Sequence, residues 1–448
     1  MKKIKKETFF LLSLGCSKNL VDSDSIAQLL MNDGMVGVET PDQAEILIVN
    51  TCGFIKPASD ESIAELQNLA KTKKKGQFLI AAGCLTQRYR EFVAEQVPGL
   101  DGIIGTRRWM DILDLIKSLR KNPNHARYHL PDVPTIGTDD HGVLRAAIQG
   151  NSAYLKIADG CRRACAYCAI PLIKGTQVSR PIETIVQEAQ ELAEMGIKEI
   201  ILIAQDTTDY GSDLKIKNGL AQLLSALSEA VPQIPWIRIL YAFPGVVTDQ
   251  MINVMKNSKN VLPYLDIPLQ HADPQILKKM RRPSNMNNVR ETILKLRAAM
   301  PDMAIRSTFI VGFPGESETE FQTLLDFLEE SQFDHVGAFT YFQERGTSAE
   351  PLGDPIPEEV KEDRLKRLMD LQSNISLKKN QKWIGKKLNI LVEGFNNGIS
   401  IGRSFRDAPE IDGMVLVEAE LPIGELVEVH ITDALAHDLV AKPVIYQP

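Results

Sequence analysis

The stretch DGCRRACAYCAI, Asp159 to Ile170, places three cysteines in the order C-x-x-x-C-x-x-C: Cys161, Cys165 and Cys168. Thiolates are ligands for zinc and for iron–sulfur clusters. A structural zinc site closes with four protein ligands, and catalytic zinc sites usually mix in histidine. The seven histidines of this chain are scattered, and none lies in this loop. Three thiolates around a four-iron cluster leave one iron free to bind a substrate. The other three cysteines, Cys16, Cys52 and Cys84, each end an apolar, β-favouring run: FFLLSLGC, EILIVNTC and FLIAAGC. Six cysteines in 448 residues are too few for a disulfide scaffold.

Amphipathic segments separate the three runs: SDSIAQLLMNDG after the first and SDESIAELQNLAKTK after the second. Such alternation describes a parallel sheet with crossover helices. Parallel strands point the same way, so all three cysteines arrive at the carboxyl edge, where open α/β folds bind ligands. Each has Gly or Thr beside it, which leaves room for a bulky group. The chain thus carries two separate sets of three thiols, both leaving a metal position open.

The whole chain reads as α/β in three units. Residues 1–120 form the N-terminal parallel-sheet unit. Residues 121–146, polar and punctuated by Pro and Gly, read as a linker. Residues 147–377 alternate strands (AYLKIAD, EIILIAQD, WIRILYAF, YLDIPLQ, AIRSTFIVGF, HVGAFTYF) with helices such as IETIVQEAQELAEMG. Six β/α repeats suggest an incomplete (β/α)6 barrel of the TIM type, with chemistry at the strand C-terminal ends. After a helix near RLKRLMDLQSNISLKKNQKWIG, residues 378–448 break into short strands, a small antiparallel β-barrel.

Composition narrows the class. Hydrophobic content of 44% and charged content of 24% suit a soluble globular protein. A net charge of −7 argues against a surface built chiefly to hold nucleic acid. No apolar run approaches the roughly 20 residues that span a bilayer, so no membrane partner is expected. The start MKKIKKETFFLLSLGCS superficially suggests a short signal peptide, but its apolar run is at the short limit and reads as a first buried strand.

With its aromatic Tyr167 before the last cysteine and its position just after a strand, the Cys161–Cys168 loop resembles the radical S-adenosylmethionine superfamily. That resemblance implies a cluster whose open iron chelates S-adenosylmethionine, one-electron cleavage to methionine and a 5′-deoxyadenosyl radical, and hydrogen abstraction from an unactivated carbon, with the protein supplying placement and exclusion of water and oxygen. It also implies cofactor contacts at the strand ends. Gln205 and Asp206, in AQDTTDYG, stand where the superfamily often has Gly-Gly-Glu. Gln270 and His271 end the fourth strand. The fifth strand, STFIVGFPGE, offers Ser307, with Gly312 and Gly315 as places for close approach to the adenosyl group. Each of these is equally readable as a strand cap or loop residue.

Taken over essentially its whole length, the sequence is similar to the methylthiotransferase family. The resemblance implies that Cys16, Cys52 and Cys84 hold an auxiliary cluster, giving two 4Fe-4S clusters. It implies a TRAM-like C-terminal barrel, and a second S-adenosylmethionine as methyl donor. SLGCSKNLVDSD, YAFPGVV, PYLDIPLQHA and GRSFRDAPEIDG resemble the ribosomal-protein branch, whose target is an aspartate of small-subunit ribosomal protein S-twelve, modified at its β-carbon to 3-methylthioaspartate. From Gln381 onward six Lys and Arg face ten Asp and Glu. That balance suits a basic protein better than tRNA, so tRNA is not an expected partner. Phe405 and Arg406 are candidates for the substrate surface. The alternatives are a tRNA-adenosine methylthiotransferase and a non-catalytic iron–sulfur assembly module. A reductase or flavodoxin-type electron donor and a reducing cytoplasm complete the expectation.

Overall fold

The computed structural model describes residues 7–123, 126–130, 135–137 and 142–444. The basic start, residues 1–6, lies outside them, as do 124–125, 131–134 and 138–141 of the linker-like stretch and 445–448 at the end.

The first sheet is parallel throughout, in the order Val36–Gly37, Thr8–Ser13, Ile46–Thr51, Phe78–Gly83, Gly102–Ile104, Arg127–His129. The three cysteine-terminated strands are therefore neighbours. Ile46 to Val49 and Leu79 to Ala82 are buried without interruption, because helices cover both faces and the strands carry near-continuous apolar runs. Ser17–Asn32, Lys56–Thr72, Cys84–Gln96 and Ile112–Lys121 are those helices. The sixth strand, Arg127–His129, comes from the stretch read as a linker.

Six parallel strands form the central unit: Ser152–Lys156, Glu199–Ile203, Trp236–Ile239, Val261–Asp266, Ala304–Val311 and His335–Thr340. All six were readable as strands. An antiparallel strand, Ala146–Gln149, adds to the outer edge of the first through the two-residue turn Gly150-Asn151. The sheet has seven strands and remains open, so the barrel is incomplete as expected. Alternation sorts its side chains. Ile200, Leu202, Ile237 and Ile239 pack with helix residues Leu223, Leu224 and Leu227. Ile201, Ile203, Trp236 and Tyr264 form a second, inner cluster.

Five strands at the C-terminus close into a small barrel: Lys387–Asn396, Ile399–Ser404, Val415–Val417, Leu426–Ala434 and Leu439–Pro443. It is not antiparallel throughout, since Val415–Val417 and Leu439–Pro443 pair in parallel. The 24-residue helix Glu358–Gln381 runs along the central unit into this barrel, and Asn380 Nδ2 donates to Leu435 O at 3.1 Å. The boundary expected at 377 falls within that helix.

The loop after Ile399–Ser404 plugs the foot of the central barrel, the end where its strands begin. Arg403 Nη2 and Arg238 Nε each reach a carboxylate oxygen of buried Glu199 at 2.7 Å. Tyr264 donates to Asp412 Oδ2 at 2.6 Å, and Arg306 Nε to Asp412 Oδ1 at 3.2 Å. This corrects the expectation for Phe405 and Arg406. Arg406 is 2% exposed, donates to Asn380 Oδ1 at 3.1 Å and lies over Trp383, while Phe405 packs edge-on against the same indole. A polar loop reads as surface in sequence. Here the carboxylates and guanidinium groups of two units answer one another in the interior, which is how charges are buried at tolerable cost.

Burial alone would raise the Glu199 carboxyl, but Arg403 and Arg238 outweigh it and hold it down to about 2, from an ordinary 4.5. Because the folded value is depressed, the stabilisation is fully present above pH 4.5 and is lost as pH falls toward 2, an effect of about 3 kcal/mol. Glu199→Gln is therefore expected to lower the unfolding free energy at pH 7 by roughly 3 kcal/mol and to flatten the acid limb of a denaturant-monitored stability curve. An unchanged acid limb would show that the foot contact does not anchor the small barrel.

Candidate functional site

Cys16 caps the N-terminus of Ser17–Asn32, Cys52 follows Ile46–Thr51 directly, and Cys84 opens Cys84–Gln96. Glycine makes this convergence possible. Gly15 has φ +94°, and a Cβ there would lie 2.7 Å from Cys52 Cβ; at Gly83, φ +104°, it would lie 2.5 Å from Thr51 O. Asn19 Nδ2 clamps the strand ends by donating to Leu14 O at 2.6 Å and Asn50 O at 3.1 Å. Burial pushes the Cys84 thiol up to about 12, with Lys174 acting in the opposite direction and Cys16 and Cys52 close enough to add to the rise. Burial also raises Cys52. Cys16 is different: its enclosed setting raises it, but Lys18 and the amides of Asn19 and Lys18 outweigh that and leave it below its ordinary value, although the residue reaches solvent.

The second set sits on the loop after Ser152–Lys156 and Ala158–Asp159. Its backbone is fixed by Cys161 N donating to Gly175 O at 3.0 Å and Ala166 N to Met280 O at 2.9 Å. Donors already face the sulfurs: Arg163 N to Cys161 Sγ at 3.4 Å, Ile170 N to Cys168 Sγ at 3.5 Å, and Arg282 Nη1 to Cys165 Sγ at 3.6 Å. Burial lifts Cys161 to about 11 and Cys168 to about 12.

All six cysteines are free thiols. Among the described residues no three His, Cys, Asp or Glu side chains converge on a point suited to a single metal ion. A four-iron cluster asks for something else, because each thiolate binds a different iron and the sulfurs stand apart. Three-thiol donor sets, N–H groups aimed at sulfur and unpaired buried polar atoms nearby, Gln205 Oε1 and Arg282 Nε, fit such a group.

The other residues singled out from the sequence have mostly protein partners. Half-buried Tyr167 packs with Phe313, Tyr341 and Met280, and burial raises its hydroxyl well above the usual range. Asp206 is buried, accepting from Arg163 Nε at 2.7 Å, Thr208 Oγ1 at 2.5 Å and Asp209 N at 3.2 Å. Gln205 Nε2 donates to Asp159 Oδ1 at 3.3 Å and keeps its carbonyl unpaired. Gln270, at φ +77°, bridges to the fifth strand through its backbone. Ser307 donates to Ile267 O at 2.9 Å. His271 is fully buried against Glu316 Oε2 at 3.1 Å and accepts from Asp273 N, a structural role. Gly312 and Gly315, read as clearance for an adenosyl group, instead clear the side chains of Lys361 and Lys279. Sequence reading missed Arg163, Arg282 and Phe243, whose ring lies 4.2 Å from both guanidinium groups. The available signals were Arg162-Arg163 inside the cysteine loop and Arg281-Arg282 before a proline.

Contacts between the units bring both thiol sets to one mouth. Lys18, two residues from Cys16, lies 3.2 Å from the centre of the Tyr241 ring, just past strand Trp236–Ile239. Arg88 donates to Gly53 O at 3.1 Å and to Glu344 Oε2 at 2.8 Å, joining the Cys52 loop to the end of the last central strand. Arg107 Nε donates to Ile173 O at 2.8 Å, beyond Cys168. Asp22 accepts from Lys156, from Arg145 Nη2 at 2.7 Å and from Lys174 at 2.9 Å.

This architecture is that of a radical S-adenosylmethionine protein with flanking units. Residues 155–328 match the radical SAM superfamily, residues 8–105 the uncharacterized protein family UPF0004, and residues 384–444 the TRAM domain. A 4Fe-4S cluster and S-adenosylmethionine are the cofactors of the radical SAM superfamily. Across its length the chain is 44% identical to the ribosomal protein uS12 methylthiotransferase RimO of Roseiflexus sp. (strain RS-1), covering 96% of each chain. It is 40% identical to the protein of that name from Bdellovibrio bacteriovorus, covering 97% of each. The chain belongs to this family, the RimO methylthiotransferases. In fold it is similar to the radical S-adenosylmethionine methyltransferase TsrM from Kitasatospora setae, at 12% identity and a TM-score of 0.56 over 77% of each chain.

Gly15→Ala adds a methyl group against Cys52 at a backbone angle that L residues resist, and should cost about 1–3 kcal/mol in thermal unfolding. Gly34→Ala, at φ +89° with nothing within 4 Å, carries only the backbone part and should cost less. Equal losses would contradict the close packing of the first set.

Proposed function

We propose that the chain is a radical S-adenosylmethionine methylthiotransferase that places a methylthio group on the β-carbon of an aspartate in small-subunit ribosomal protein S-twelve, the uS12 named in its relatives. The observation that carries this reading is the meeting of two three-thiol sets at one barrel mouth in a chain of this family. Cys161, Cys165 and Cys168 would hold the cluster that takes S-adenosylmethionine, and Cys16, Cys52 and Cys84 an auxiliary 4Fe-4S cluster. When bound, the first group supplies one-electron cleavage of a sulfonium and hence hydrogen abstraction from an unreactive carbon.

The chain's own residues do the placing. Arg282 and the Arg163 and Ile170 amides aim N–H groups at the sulfurs of the second set, where they would answer the charge of a bound cluster. Asp206 orients Arg163 and so cannot also bind a cofactor amine freely. Gln205, with an unpaired carbonyl, and Gln270, on its left-handed turn, remain the polar contacts offered to the cofactor, beside Tyr167; Ser307 and Gly312 shape the loops behind them. The first unit lies across the mouth and keeps water from it, as radical chemistry requires.

The first unit extends past residue 120 to take in the strand Arg127–His129, and the helix Glu358–Gln381 joins the central unit to the small barrel across residue 377. A protein substrate is favoured by the small barrel's outer charge. Once Arg403, Arg406, Asp407 and Asp412 are engaged at internal contacts, and Glu393 with Arg403 and Glu425 with Lys198, the remaining Lys382, Lys386, Lys387 and Lys442 face six further carboxylates. Such a surface attracts a basic ribosomal protein and repels tRNA. A reductase or flavodoxin-type donor would supply electrons in a reducing cytoplasm. Among the described residues no helix is long and apolar enough to cross a membrane.

Reconstituted, reduced protein should release 5′-deoxyadenosine anaerobically and add a methylthio mass to uS12. Cys161→Ala should lose both activities. Cys84→Ala should keep the cleavage and lose the transfer. Mass gain on tRNA alone would overturn the substrate, and no 5′-deoxyadenosine from fully loaded protein would leave an assembly module as the better reading.

A further inference from the structure

Lys174 is 3% exposed and ends the short helix Ile170–Ile173 that follows Cys168. Its ammonium lies 2.9 Å from Asp22 Oδ2 and 3.2 Å from Asp159 Oδ1. Asp22 is on the helix that starts at Cys16, and Asp159 precedes Gly160 and Cys161. One side chain therefore touches the supports of both thiol sets. The plain alternative is a structural ion pair that serves only Asp22. Against it, Asp22 Oδ1 already takes Arg145 and Lys156, so the carboxylate does not need a third cation to be stable. An ammonium carries three donors and is costly to bury without an answering anion. Asp22 and Asp159 use two directions of the Lys174 ammonium, one on the support of each thiol set.

We propose that Lys174 is a positioning residue that supplies the counter-charge for a cluster held by Cys16, Cys52 and Cys84 and ties its placement to the Cys161–Cys168 loop. The inference rests on the two-cluster reading above. Three thiolates around a dicationic iron–sulfur core leave a net negative charge, which grows when the core gains an electron. Nearby positive charge favours the reduced state, and net charge and hydrogen bonding are what set such potentials. Asp159 divides the influence of Lys174 between the two sites, so loading the first set and ordering the second loop become coupled.

The test is a reductive titration of the full-length, two-cluster protein with dithionite, followed by electron paramagnetic resonance. Added S-adenosylmethionine moves the signal of the cluster that binds it and so separates the two. Lys174→Met should shift the midpoint of the other cluster to lower potential and lower its iron retention, and Lys174→Arg should restore both. A midpoint and iron content in Lys174→Met equal to those of the wild type would overturn the proposal. If Lys174→Met does not fold, Lys174→Gln is read in the same way, and a wild-type midpoint there overturns it equally. A wild type that holds only one cluster would remove both this inference and the two-cluster reading, whereas two clusters with an insensitive midpoint remove only the role of Lys174.

Discussion

Asp22 is 1% exposed and accepts from Arg145, Lys156 and Lys174. Arg145 leads into the edge strand, Lys156 ends the first parallel strand and Lys174 follows the cysteine loop, so a single carboxylate on the first unit fixes three points of the central one. Burial works against its charge, and the three cations hold it far below the usual carboxylate range. A buried charge that loses its partners is strongly unfavourable. The first sheet therefore has little freedom to slide or tilt on the barrel without exposing this group. Its carboxyl edge, and the three cysteines there, stay facing the mouth.

The barrel is organised along its axis. At the foot, Glu199, Arg238, Arg306 and the loop bearing Arg403 and Asp412 form a buried polar contact that binds the small barrel rigidly. At the mouth, Arg163, Arg282, Phe243 and every thiol but the buried Cys52 are only partly covered. Satisfied polar networks rigidify a fold, while incompletely satisfied ones mark places prepared for something else. The unpaired Gln205 carbonyl and Arg282 Nε are at the mouth.

Much of this was legible in the sequence, and for a physical reason. Apolar runs ending in cysteine state both strand and position, and parallel pairing then dictates that Cys16, Cys52 and Cys84 share an edge. What could not be read depends on contacts between distant segments. Arg406 and Asp412 sit in a polar loop that only docking buries. Asp22 looks like an ordinary helix-surface residue until Lys156 and Lys174 arrive. Gly312 was recognisable as a position needing clearance, yet its neighbour Lys361 comes from a helix roughly fifty residues further on. Ala146–Gln149 did have a local signal, the Gly150-Asn151 turn before a strand, hidden by the polar stretch preceding it. Arg127–His129 had none, being short and polar.

Both sulfur-rich sites open on one chamber. Pulsed electron paramagnetic resonance on the protein with both clusters reduced measures this directly. Dipolar interaction between the two spins, absent when either three-cysteine set is replaced by alanine, is expected. Two magnetically isolated clusters, each with the relaxation of a lone centre, would contradict it.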